Sequence, residues 1–95
     1  MTSQNNLKQF DKIYNLTYNH VLKYIICKCS NIEDVNDIIQ ETYLELYNAI
    51  IKEKNIDDYH KYLIGIAKNK IRKHYHLLYK IKTISIFSQK ESDLE

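Results

Sequence analysis

The chain has one glycine, no proline and no tryptophan among its 95 residues. Tight hairpins are built from such turn residues, so their scarcity argues against any sheet and favours an all-α fold. No apolar run approaches the roughly 18 residues of a membrane-spanning helix. Residues 1–6 lack a charged segment leading into an apolar one, so neither a leader nor membrane insertion is expected and the location expected is cytoplasmic. The two cysteines, Cys27 and Cys29, form C-x-C with His20 two turns earlier. Positions two apart on a helix point about 200° away from each other, and a zinc site wants four ligands at wider spacing. Neither a metal nor a disulfide is therefore expected, and His74-x-His76 fails by the same geometry. There is no Gly-rich phosphate loop, no G-x-S-x-G and no H-E-x-x-H. Glu33, Asp37, Glu41 and Glu45 could stand as paired acids, but one helix face offers no second wall against water. No catalytic activity and no cofactor are expected.

What is present is the composition of one ordinary globular domain, 44% hydrophobic and 27% charged. Its centre is the stretch N-D-I-I-Q-E-T-Y-L-E-L-Y at residues 36–47. A Ser30-x-x-Glu33 capping box predicts the helix start. Val35, Ile38, Ile39, Thr42, Leu46, Ala49 and Ile50 then recur at steps of three and four, the period of one helix face. Asp37, Gln40, Glu41 and Glu45 fall on the other side. Between Asn31 and Ile51 stand five acids and no Lys or Arg, which suits either a basic partner or plain solvation. Before it, Leu7, Phe10, Tyr14, Thr17, Tyr18, Val21, Leu22 and Ile25 trace the stripe of a first long helix.

The string D-I-I-Q-E-T-Y, followed about twenty residues later by Y-L-I-G-I-A-K-N, resembles region 2 of the sigma-70 family of bacterial RNA polymerase sigma factors. The likeness is to the extracytoplasmic-function type. It implies a compact bundle of three helices, with room for a fourth short turn in a loop. It also implies that the first string docks on the β′ coiled coil of core RNA polymerase. Asp37, Ile38, Gln40, Glu41 and Tyr47 are the positions expected there. The second string is then expected to face the promoter −10 element on its non-template strand, through Lys61, Tyr62, Lys68, Asn69, Arg72 and Lys73. An anti-sigma factor is a further partner consistent with the family. Tyr62 replaces the family's usual Trp and keeps a flat ring that can wedge or stack, with less area.

The residues themselves support a segregation of charge. A third helix is predicted from about Tyr59 to Leu78, with Tyr59, Leu63, Ile66, Ala67, Lys70 and His74 on one side. Lys61, Gly65, Lys68, Arg72 and His76 fall almost opposite, and Asn69 at the border. Between Tyr59 and Lys90 there are eight Lys or Arg and no acid, although the net charge is only +2. A basic helix with tyrosines interleaved fits phosphate contacts and stacking on unpaired bases; it equally fits a solvated face. Lys52 to Asp58 reads as the preceding loop, with Asp57 or Asp58 as N-cap. By resemblance this loop shapes a pocket for a flipped base. Gly65 sits mid-helix on the outward side, where a close nucleic-acid approach or simple neutrality would account for it.

Beyond Leu78 the periodicity fades. The expected organisation is a helical domain over residues 1–80 and a flexible tail or linker over 81–95. In the family a linker at this point leads to a second domain reading the −35 element, so the chain resembles about the first half of such a factor. A stand-alone region 2 remains the other reading. The expected function is that of an initiation-factor domain binding polymerase and the −10 element. The alternative is a protein-only helical module that binds polymerase or an anti-sigma factor without reading DNA.

Overall fold

A computed structural model describes the backbone of residues 2–94 and the side chains of residues 4–77. The described chain is all-helical: α1 (Thr2–Lys28), α2 (Ile32–Ile51) and α3 (Tyr59–Leu94). Each helix packs on both of the others. The loop over residues 52–58 falls where the polar interruption predicts it, and no fourth helix stands among the described residues. None of the helices is long and apolar enough, within the described residues, to cross a membrane.

The core follows the predicted stripes except at Leu7 of α1, which is 50% exposed. Every residue assigned to the apolar face of α2 is buried, from Val35 to Ile50. Val21 and Ile25 of α1 and Leu63 and Ala67 of α3 complete the cluster. Burying each such aliphatic side chain stabilises the fold by about 1.5–3 kcal/mol. Two core members, Ile13 and Tyr43, lie outside the predicted stripes. They are buried because each helix touches two partners, which widens its apolar arc beyond a single seam.

The ends of α2 are set by local chemistry. The N-cap is Asn31, whose Oδ1 accepts from the Asp34 N–H at 2.9 Å. The Ser30/Glu33 capping box is therefore corrected by one residue. Ser30 is drawn off by α3, since its own N–H donates to the Tyr75 hydroxyl at 3.0 Å. At the other end the Glu53 N–H donates to Ile50 C=O and the Lys54 N–H to Ala49 C=O, closing a Schellman turn. That turn needs a left-handed residue, and Glu53 takes it at φ 56° where glycine is the usual choice. Asp58 then caps α3, its Oδ1 accepting from the Lys61 N–H at 3.1 Å.

The third helix does not stop at Leu78; its backbone continues to Leu94. After Gly65 the sequence holds neither glycine nor proline, so nothing in the backbone chemistry compels an earlier stop. The side chains of the segment expected as a tail lie outside the described residues.

Candidate functional site

Two exposed faces remain once the core is closed. On α2, Asp37, Gln40 and Glu41 are exposed. Ile38, expected beside them, is only 2% exposed and packs in the core, so its side chain offers a partner no surface. Tyr47 is half-buried, with its ring edge-on to Phe10 at 5.6 Å. A groove of about 480 Å³ runs between α1 and α2, and Tyr14, Tyr18, Gln40, Leu44 and Tyr47 line it. Leu44 is 61% exposed at its edge, an apolar anchor beside the amide of Gln40.

The acidic run is less uniform than its sequence implies. Two of its acids are met by α3: Glu45 lies 3.9 Å from Lys70 Nζ, and Asp34 lies 2.8 Å from His74 Nε2. Among the described residues that nitrogen has no partner besides the Asp34 carboxylate. Asp37 and Glu41 have no cation within ion-pair distance among the described residues. Glu33 is exposed and likewise unpaired among the described residues, and Asp37 and Glu41 stand one turn apart on either side of Gln40.

The opposite face belongs to α3. Lys61, Lys68, Asn69, Arg72 and Lys73 are all exposed, and Tyr62 is half-buried. Helix α2, the loop and α3 border an open polar hollow of about 560 Å³, lined among others by Glu45, Asn48, Lys52, Lys54, Tyr62 and Asn69. Lys54 Nζ lies 5.2 Å from the centre of the Tyr62 ring, held there by the loop turn that Glu53 closes. A cation, a flat ring and an amide therefore converge on one hollow. Lys52 and Lys54 were not expected there; the signal was a pair of lysines in the polar loop before Asp58. Lys68 and Arg72 turn instead toward α1 and line a separate cleft with Tyr24 and Lys28. Lys61 and Lys73 line neither hollow.

Gly65 lies on the rim of the polar pocket, and a Cβ built there meets nothing within 4 Å. Gly65→Ala is accordingly expected to stabilise the fold by about 1 kcal/mol, raising Tm by roughly 4–8 °C. If a nucleic-acid strand approaches the backbone at this turn, the same substitution weakens its binding. A melt together with a strand-binding assay reads both effects; a lower Tm would show that the helix needs glycine for its own sake.

Among the described residues no three His, Cys, Asp or Glu side chains gather into a metal-binding group. Cys29 is half-buried and burial pushes its thiol up, only partly offset by a hydrogen bond with Tyr75. No family model, curated protein or solved structure matches the chain.

Proposed function

We propose that this chain is a transcription-initiation domain of the sigma region 2 type, which holds core RNA polymerase on α2 and the non-template −10 strand on α3. The observation that carries the reading is the polar pocket, where Lys54, Tyr62 and Asn69 converge from a loop and a helix. A base swung out of the duplex exposes its hydrogen-bonding edge and its face. Asn69 supplies donors and an acceptor for the edge, and Tyr62 a surface for the face. The division of each motif string also supports it. Ile38, Ile39 and Thr42 of the first and Leu63, Ile66 and Ala67 of the second are buried, leaving their polar members outward. One string then supplies an acidic face for a basic protein surface, and the other a basic face for phosphates.

The test is strand binding by polymerase reconstituted with this chain. Each phosphate contact releases counterions, so log affinity falls with log salt by about 0.7 per contact on a single strand. Lys68→Ala and Arg72→Ala are each expected to flatten the slope by nearly one contact. Asn69→Ala is expected to relax sequence preference with the slope kept, because a neutral amide reads base edges. The reconstituted enzyme should favour the melted strand over its duplex. Strand preference and slope unchanged by all three substitutions would refute the DNA half. In that outcome the groove between α1 and α2 carries the function, as a module that binds protein only.

A further inference from the structure

We infer that the nucleic-acid surface of α3 continues onto the end of α1, where Lys28 adds a phosphate contact beside Lys68 and Arg72. This rests on the nucleic-acid reading of α3 and enlarges its footprint. A cleft of about 220 Å³ between the two helices is lined by Tyr24, Lys28, Lys68, Ile71 and Arg72. Three cations from two helices thus share one hollow, and among the described residues no carboxylate lines it. Among the described residues the carboxylate contacts of basic side chains are Lys70 with Glu45 and His74 with Asp34, so none of the three is paired. Like charges that line one cleft repel one another, and an anion seated between them relieves the repulsion.

Lys28 has a second reason to be where it is, as a cation in the last turn of α1. That accounts for Lys28 alone. It does not explain why Lys68 and Arg72, in the body of α3, meet it across a cleft. Tyr24 adds a positioning element: Lys28 Nζ lies 5.8 Å from the centre of its ring, which steadies the flexible stem at the cleft edge. A cleft of about 220 Å³ admits one phosphate with its sugar, or one carboxylate side chain. The occupant proposed is a nucleic-acid backbone, because Lys68 and Arg72 share their helix with Tyr62 and Asn69, which offer a stacking surface and an amide for bases. An acidic side chain is the competitor that the test separates.

The experiment uses the full chain and a fluorescein-labelled thymidine oligonucleotide, titrated at several salt concentrations. Lys28→Gln is expected to lower the log–log salt slope by about 0.7, as much as Lys68→Ala does. Lys23→Gln, an exposed lysine of α1 that does not line the cleft, should leave the slope unchanged. Tyr24→Phe keeps the ring and should keep the slope; Tyr24→Leu should lose part of the Lys28 contribution. A wild-type slope in Lys28→Gln, with Lys68→Ala down by one contact, overturns the extension and leaves the α3 reading standing. No binding at low salt, or no slope change in Lys68→Ala and Arg72→Ala, overturns the α3 reading and the extension with it. Displacement of the oligonucleotide by polyglutamate at equal charge concentration would mark the cleft as a site for acidic polypeptide and refute the proposal.

Discussion

A Gln40→Ala, Glu41→Lys double variant is expected to lose more than tenfold in its capture of core polymerase while its melting temperature stays level or rises slightly. Both residues are exposed on α2, and neither forms a side-chain hydrogen bond or an ion pair among the described residues. Their removal therefore costs the fold little. The new lysine would even stand four residues from Asp37 and from Glu45, and each such pair stabilises a helix by about 0.2–0.5 kcal/mol. Binding has the opposite sign. A charge-assisted hydrogen bond lost at an interface costs about 1.5–3 kcal/mol, and a reversed charge adds repulsion to that loss. Since 1.4 kcal/mol is a factor of ten, one such contact already reaches the expected effect. Co-precipitation with core enzyme, beside a thermal melt, checks both halves. Equal capture by wild type and variant would remove the acidic face from the polymerase reading. A lowered Tm would instead point to a structural role for these residues.

The structure also narrows that face in a way the residues alone did not reveal. Five acids on one segment look uniform in sequence, but α3 claims Asp34 through His74 and Glu45 through Lys70. Sequence placed Lys70 and His74 on the inward side of α3 by helical phase, yet phase does not say which residue of another helix lies opposite. The same limit explains the polar pocket. Tyr62 and Asn69 are legible as neighbours because they lie seven residues apart on one helix, two turns along the same side. Lys54 joins them only because a left-handed Glu53 turns the loop back, and nothing in a chain with one glycine announces a left-handed glutamate. Buried aliphatic positions were legible because burial follows periodicity. The cap at Asn31 was displaced by one residue because Ser30, Asn31 and Glu33 compete for the same few donors, and tertiary contact with Tyr75 decides among them.

Tyr43 is the clearest case of a residue that periodicity passes over and packing makes central, and its substitution should have the largest effect on stability. It is 4% exposed, and its ring centre lies 4.7 Å from Tyr14, 6.1 Å from Tyr18 and 6.2 Å from Phe10. Its hydroxyl lies 2.7 Å from Thr17 Oγ1, which itself donates to Ile13 C=O at 2.7 Å. The threonine proton is committed to that carbonyl, so Tyr43 donates and Thr17 accepts. Tyr43→Ala removes the ring from the junction of α1 and α2, and loss of a buried aromatic costs about 3–5 kcal/mol. For a small domain near the low end of the usual range of about 5–15 kcal/mol, that is enough to leave it partly unfolded near physiological temperature. Tyr43→Phe keeps the packing and gives up one hydrogen bond, about 1 kcal/mol. The pair carries a pH signature as well. Burial pushes the Tyr43 hydroxyl up from its ordinary value, and burial acts on Tyr14 in the same direction. A proton held more tightly in the folded state contributes stability that is complete below about pH 10 and is lost as pH rises above it. Urea unfolding at about pH 8 and about pH 11 should show the wild type losing more stability on the alkaline side than Tyr43→Phe, with Tyr14 supplying what remains. An identical alkaline loss in both proteins would mean that the Tyr43 hydroxyl is not the group that ionises on unfolding. A Tyr43→Ala protein as stable as wild type would mean that the aromatic cluster does not hold α1 against α2.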